Sequence, residues 1–187
     1  MTDIALGVRR AALGVRVLAV VLGALVVALA AQVSVPLPGT PVPMTLQPMA
    51  VLLVGGLLGA RLGAVSLILY LAMGAAGLPV FTPTVPLPGI TRLLGPTGGY
   101  LLAYPIAAYV VGSIVTYRAP WQRVAYGVVA GLVLIHLGGL AQMAILTGSL
   151  PGAAQLATGP FLLGDLLKLA LLVPVLTRLT PTVRARL

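Results

Sequence analysis

The chain has 187 residues, of which 60% are hydrophobic and only 7% are charged. A soluble domain carries roughly 25% charged residues, so the composition excludes an ordinary soluble enzyme, and the high hydrophobicity excludes a disordered chain. With no cysteine, one histidine and two acidic residues, one chain cannot assemble a thiol site, a catalytic carboxylate pair or a multi-ligand metal site.

Six apolar segments predict an all-α integral membrane protein with six transmembrane helices in a single membrane domain, residues 1–187. The second and third segments are short for a span, which predicts a tight helical hairpin or a locally thinned membrane. The connections 34–46, 78–97 and 147–160 are rich in Pro and Gly and are expected to lack regular helices. The segments are 16–33, 47–60, 62–77, 98–117, 124–146 and 161–179.

The basic residues predict the orientation, because cytoplasmic loops are enriched in Lys and Arg. On the opposite side of a six-span arrangement lies Arg92, with Lys168 just inside the last helix. Both termini are therefore expected in the cytoplasm, and the net charge of +9 indicates topology rather than nucleic-acid binding. The alternative is a signal peptide cleaved after Ala28-Leu29-Ala30, which would leave five spans. The arginines on the cytoplasmic side are Arg9, Arg10, Arg16, Arg61, Arg118, Arg123, Arg178, Arg184 and Arg186.

Two early segments carry polar or small residues of interest. Ala24 and Ala28 are four apart in the first segment, a spacing that allows another helix to approach closely, inside the chain or in a partner. Thr45 and Gln47 open the second segment. Thr45 is predicted to cap the helix, and Gln47 is a candidate to offer its amide to a ligand.

Arg92 lies in the long connection before the fourth segment. A guanidinium there can bind a ligand carboxylate through two hydrogen bonds; the alternative is an arginine that faces water or lipid head groups. Tyr100 and Tyr104 are four apart on the fourth helix and share a face. They are candidates to pack on a ligand ring, or else belong to an interfacial aromatic belt.

The last segment carries the strongest local signal, because Asp165 and Lys168 are three apart and share a helix face. Ionisable residues inside a span are costly unless they are paired or hydrated. The pair therefore predicts a polar ligand site reached from outside, or else a structural ion pair. His136, in the fifth segment, is expected to make one interhelical hydrogen bond, and Asp165 is the only carboxylate available to it inside the spans.

No phosphate-binding loop occurs, because the only lysine, Lys168, follows Leu167 rather than glycine. If the chain moves a solute uphill, the energy must come from a partner or from an ion gradient.

Several ordered motifs resemble the BioY family, the biotin-specific substrate-binding (S) components of energy-coupling factor (ECF) transporters. The loop Thr82–Ile90 departs from the family pattern because it has extra prolines, which leaves open which loop residue contacts ligand. The motifs are Val42–Gln47, Leu57–Gly63, Tyr70 with Gly77–Phe81, Leu94–Tyr100 and Pro160–Lys168.

The resemblance implies a multi-pass protein of the cytoplasmic membrane that binds biotin from outside and performs no covalent chemistry. It implies that a transmembrane coupling (T) protein and two ATPase subunits drive uptake, and that no cofactor is needed. It assigns Ala24 and Ala28 to the contact with the coupling protein. It assigns Asp165 and Lys168 to the biotin ureido group, with Arg92 for the ligand carboxylate.

Several other functions remain open. The chain is alternatively a solitary biotin transporter without ATPase partners, or a transporter for another small carboxylated vitamin. A small membrane acyl or prenyl transferase needs more acidic, histidine or cysteine residues than the chain has. A structural subunit would use Ala24 and Ala28 as its contact face and would bind no small solute.

Overall fold

The computed structural model describes the backbone of residues 2–187 and the side chains of residues 13–161 and 164–187. Within that range the chain is mostly helical, with one pair of two-residue strands. Arg9 and Arg10, which the orientation prediction used, lie outside the described side chains. The elements are α1 (Thr2–Gln32), β1 (Ser34–Val35), β2 (Met44–Thr45), α2 (Gln47–Leu58), α3 (Ala60–Ala75), α4 (Thr91–Leu94), α5 (Gly98–Ile114), α6 (Trp121–Thr147), α7 (Leu150–Ala157) and α8 (Leu162–Arg184).

The six predicted apolar segments coincide with α1, α2, α3, α5, α6 and α8. Three stretches are long and apolar enough to cross a membrane, namely Leu13–Gln32, Trp121–Thr147 and Gly164–Arg184. The helices α2, α3 and α5 are apolar but have only 12, 16 and 17 residues. The sequence predicted short second and third helices. It predicted a longer fourth one, 98–117, whereas the backbone leaves the helical conformation at Val115.

The junction between α2 and α3 is a single residue, Gly59. Its φ of 86° lies in a region that glycine adopts readily and that other residues rarely adopt. The Gly59 N–H still donates to the carbonyl of Gly55 at 3.0 Å, so α2 ends cleanly and α3 starts at the next residue. The predicted break at Arg61 was therefore placed too late, and Arg61 belongs to the first turn of α3.

The connections at the other end of these helices contain regular structure that the sequence analysis did not predict. Strand β1 pairs antiparallel with β2, with Ser34 opposite Thr45. In the last connection, Ser149 Oγ accepts from the Gly152 N–H at 3.2 Å and so caps α7. The expectation that these connections lack helices was wrong for Leu150–Ala157, which a serine cap followed by Pro151 signals, and for the one-turn helix Thr91–Leu94 in the connection 78–97.

Glycines bring α5 and α6 into the most extensive helix contact of the described chain. A Cβ at Gly99 would overlap the carbonyl of Gly138, and a Cβ at Gly138 would overlap the carbonyl of Gly99. Because consecutive long helices run in opposite directions, the starts of α2, α5 and α8 meet the last turns of α6 at one end of the bundle. That end holds the candidate site.

The two alanines predicted to contact a partner, Ala24 and Ala28, are buried within the chain. Ala24 is 0% exposed and Ala28 is 8% exposed, because their face of α1 packs against α2 and α3. On the adjoining face of α1, Leu25 and Leu29 are 42% and 70% exposed. In the structure these two small residues pack α1 onto its own neighbours, which is the contact inside the chain that their spacing also allowed; the contact with a partner stays a prediction.

Candidate functional site

A pocket at this end of the bundle is lined by all six side chains that the sequence analysis predicted to bind substrate. It encloses about 590 Å³ when the open space at its mouth is counted. Folding brings the six side chains together from α2, α4, α5 and α8, although their roles in binding stay predictions. They are Gln47, Arg92, Tyr100, Tyr104, Asp165 and Lys168.

Asp165 and Lys168 form the expected ion pair on α8. Lys168 Nζ donates to Asp165 Oδ1 at 2.9 Å, and each residue is only 7% exposed. His136 on α6 adds a third member, since its Nε2 is hydrogen-bonded to Asp165 Oδ2. The interhelical hydrogen bond expected for His136 is therefore present. A buried charge needs such partners, because it is costly when left alone.

Arg92 is held by the loop that precedes it. Its Nε donates to the Leu87 carbonyl at 2.8 Å, and its Nη2 donates to the carbonyls of Thr82, at 3.0 Å, and Val85. The side chain is 5% exposed. Burial lowers the pKa of the guanidinium, which nevertheless stays charged because its ordinary pKa is so high. Nη1 is buried and has no hydrogen-bond partner among the described residues, so one donor group of a fixed cation remains for a ligand.

Gln47 is fixed by a tyrosine behind the pocket wall. Gln47 Nε2 donates to the hydroxyl oxygen of Tyr70 at 2.6 Å. Tyr70 is 0% exposed and meets the ring of Phe81 edge-on, with centroids 5.5 Å apart. Phe81 in turn lies against Gly74, where a Cβ would overlap its ring. This packing from α3 orients the Gln47 amide before any ligand arrives.

The pocket walls near α8 are aromatic. Tyr100 is 7% exposed and Tyr104 is 3% exposed, so neither is a tyrosine of an exposed interfacial belt. The Tyr100 hydroxyl donates to the carbonyl of Ala157 at the end of α7, and its ring lies 6.4 Å from that of Phe161. The unpredicted helix α7 therefore helps to fix this wall.

Several pocket residues were missed by the sequence analysis. The chain has two phenylalanines, and Phe81 and Phe161 both line the pocket. Their position, Phe81 within the connection 78–97 and Phe161 directly after the connection 147–160, was an available signal. Thr97 also lines the pocket, and its Oγ1 is buried without a partner in the described part of the chain. Thr45, predicted as a cap, accepts from the Gln47 N–H at 3.2 Å but lies in β2, before the capping position at Leu46.

The charges of the described lining favour an anionic ligand. Arg92 and Lys168 are positive, Asp165 is negative, and the pocket carries one net positive charge when His136 is neutral. Between Arg92 and the α8 pair, the lining is mostly apolar or aromatic. The pocket is thus suited to a small monoanion with an apolar body and polar groups that meet Asp165 and Lys168.

The sequence of the chain is similar to those of several known proteins. The sequence profile of the BioY family matches residues 5–185. The probable biotin transporter BioY of Pyrococcus horikoshii is 39% identical over 142 residues, which are 74% of this chain and 81% of that protein. The biotin transporter BioY of Thermotoga maritima is 33% identical over 147 residues, or 79% and 85% of the two chains.

A solved structure shares the fold. The crystal structure of the S-component for biotin from an ECF-type ABC transporter matches with a TM-score of 0.79 at 26% sequence identity. The match covers 88% of this chain and 89% of that chain. The helical arrangement described above is therefore that of a membrane S-component.

Proposed function

Because the chain belongs to the BioY family, we propose that it binds biotin from outside the cell and mediates its uptake as the S component of an ECF-type transporter. The names of the relatives from Pyrococcus horikoshii and Thermotoga maritima support biotin as the ligand. The similarity to an S-component for biotin supports both the ligand and the transporter class.

One observation carries the proposal: the cationic Arg92 and the Asp165–Lys168 pair stand in the wall of one largely apolar pocket. Biotin has a ureido group with two N–H donors and one carbonyl acceptor, an apolar bicyclic ring with an aliphatic chain, and a terminal carboxylate. Asp165 accepts from a ureido N–H, and Lys168 donates to the ureido oxygen. The free Nη1 of Arg92 donates to the carboxylate, and the tyrosine and phenylalanine rings cover the apolar body.

We further propose that the chain crosses the cytoplasmic membrane with six transmembrane helices. Both termini then lie in the cytoplasm. The arginine distribution supports this orientation. The short helices α2, α3 and α5 are accommodated by a locally thinned bilayer around them.

The proposed energy source is a coupling (T) protein with two ATPase subunits, because the sequence has no phosphate-binding loop of its own. The alternative is a solitary transporter. Uptake of labelled biotin by cells that make this chain with and without the T protein and ATPases separates the two. Uptake that requires all the partners supports the S-component role, and equal uptake without them contradicts it.

The ligand is tested by calorimetric titration of the detergent-solubilised chain, freed of bound ligand, with biotin. We expect one-to-one binding by the parent chain and severe loss in Asp165→Asn and Lys168→Ala, because each substitution leaves a buried polar group unpaired. Arg178→Gln is the matched control, since Arg178 is exposed on the same helix. A folded parent chain that gives no heat with biotin would contradict the proposed ligand, and other small carboxylated vitamins would then be titrated.

A further inference from the structure

The single histidine of the chain has one ring nitrogen whose hydrogen-bonding role is unassigned. His136 borders the ligand pocket on α6, with its ring centroid 6.3 Å from those of Tyr100 and Phe161. Its Nε2 is engaged by Asp165. Its Nδ1 is buried and meets no hydrogen-bond partner within the described residues. The ring also borders a second cavity, which is lined mainly by leucine and valine together with Thr158 and Asp165, whereas the ligand pocket holds most of the polar side chains near the ring.

The hydrogen bond to Asp165 decides which nitrogen carries the proton. Asp165 is paired with Lys168 at 2.9 Å, so its carboxylate is ionised and can only accept hydrogen bonds. His136 Nε2 must therefore donate to it. In the neutral imidazole, the other nitrogen, Nδ1, then has a lone pair and is an acceptor. A buried acceptor without a donor is unfavourable, and a donor from the ligand satisfies it.

We propose that His136 is a ligand-contacting, specificity-determining residue whose Nδ1 accepts a hydrogen bond from one of the two ureido N–H groups of biotin. The inference rests on the proposed function and extends it. Asp165 accepts from one ureido N–H, Lys168 donates to the ureido oxygen, and the second N–H needs an acceptor of its own. His136 supplies that acceptor and at the same time orients Asp165 through Nε2.

The first test uses the unaltered chain. Because His136 is the only histidine, protein labelled with ¹⁵N-histidine and purified without a polyhistidine tag gives one pair of imidazole nitrogen signals. We expect biotin to shift the Nδ1 signal strongly and the Nε2 signal little. Two biotin analogues carry a methyl group on one or the other ureido nitrogen. The analogue methylated on the nitrogen that faces His136 is expected to bind without that shift, because it has no N–H to donate to Nδ1. A saturating biotin titration that leaves Nδ1 unmoved overturns the proposal.

The second test uses two substitutions that separate the ring nitrogens. His136→Gln places an amide N–H near the Nε2 position and removes Nδ1, whereas His136→Asn places an amide oxygen near the Nδ1 position and no longer reaches Asp165. We expect the parent chain to bind the analogue that is methylated on the nitrogen facing His136 about tenfold or more weakly than biotin, because that analogue lacks one buried hydrogen bond. His136→Gln loses this discrimination, and His136→Asn retains it at lower overall affinity.

The outcomes distinguish this inference from the proposed function. If the folded parent chain does not bind biotin, the proposed function fails. If the parent chain binds biotin but His136→Gln discriminates between biotin and both methylated analogues as the parent does, only the role of Nδ1 fails. In that case, His136 merely orients Asp165.

Discussion

The three guanidinium nitrogens of Arg92 differ in their hydrogen bonds. Nε and Nη2 donate to the carbonyls of Leu87, Thr82 and Val85, which fixes the proline-rich loop against the pocket. Nη1 remains for a ligand. A guanidinium is suited to this double task because its donors form a rigid planar fork. Under the proposed function, the residue links the order of its loop to recognition of the ligand carboxylate.

Arg92→Gln should weaken binding of biotin by roughly 10- to 100-fold, the equivalent of the ~1.5–3 kcal/mol of a hydrogen bond to a charged group. Biotin amide, which lacks the carboxylate charge, should lose much less affinity. Calorimetric titration with both ligands checks this, with Arg118→Gln as the control because Arg118 is exposed and far along the chain from the pocket residues. Equal losses for the two ligands would limit Arg92 to holding its loop.

At the scale of single residues, the sequence predicted which side chains line the pocket, but it did not predict all of the hydrogen bonds that these side chains make. Gln47, Arg92, Asp165 and Lys168 were identifiable because polar groups in an apolar chain need a reason to be there. The bonds from Arg92 to its own loop depend on backbone turns that composition does not reveal. The burial of Ala24 and Ala28 was not predictable either, since a small-residue spacing does not say whether the close neighbour is internal or external.

Among the helices, α5 is the central element because it contacts α2, α3 and α6. Its approach to α2 depends on Gly55, where a Cβ would lie within 3.0 Å of three backbone atoms of Ala108. Real Cβ atoms do not come so near to a backbone, so one helix would have to move. Interfaces of this kind are common between helices in membranes, where small residues let backbones meet.

Gly55→Ala should therefore lower the thermal stability of the chain in detergent, by ~1–3 kcal/mol as typical of overpacking a well-packed interior. Gly14→Ala is the matched control, because a Cβ at Gly14 meets no atom within 4 Å. Thermal unfolding followed by circular dichroism measures both. An unchanged midpoint for Gly55→Ala would show that α2 and α5 adjust freely and would contradict the close crossing.

The sequence predicted the existence of the six apolar helices well, because their apolar character is a local property. Their ends were less predictable. Gly59 and Val115 end helices through backbone conformations, and α8 continues to Arg184 through Pro174 and Pro181, each of which would ordinarily interrupt a helix. The short helix α7 depends on a local cap that the proline- and glycine-rich composition obscured.

For the molecule as a whole, α8 connects the two ends of the bundle. Its first turns carry Asp165 and Lys168, and its last turn carries Arg184. Arg184 Nη2 donates to the carbonyl of Gly56 at 2.7 Å and to that of Gly112 at 3.1 Å. Both carbonyls lie in last helical turns, of α2 and α5, where intrahelical donors are missing. A cation there also meets the negative ends of two helix dipoles.

Arg184→Met should destabilise the chain, because it leaves two carbonyls at the ends of α2 and α5 without their donor, at a cost of ~1–3 kcal/mol each when such groups are buried. Biotin affinity should be unaffected, since the pocket lies at the other end of α8. Thermal unfolding and calorimetry measure the two properties, with the exposed Arg178→Met as the control. A fall in affinity without a fall in stability would contradict the assigned role.

The proposed topology can be tested by labelling introduced cysteines, because the chain has no cysteine of its own that would react with the reagent. We expect Leu150→Cys to react with a membrane-impermeant maleimide on intact cells and Arg118→Cys to react only after permeabilisation. Leu150 is 62% exposed, and Arg118 is exposed as well, so both thiols are accessible to reagent on their own side. Labelling of both positions on intact cells would contradict the six-span arrangement with cytoplasmic termini.

The charge of the pocket has an electrical consequence. When His136 is neutral, the lining of the empty pocket has one excess positive charge, whereas a pocket filled by a ligand with one carboxylate is neutral. Moving one elementary charge across a membrane potential involves about 2.3 kcal/mol per 100 mV. A loaded pocket can therefore change its depth in the bilayer without electrical work, while a negative-inside potential draws the empty pocket inward and opposes its return. Voltage would thus act on the resetting of the empty carrier rather than on the entry of its cargo.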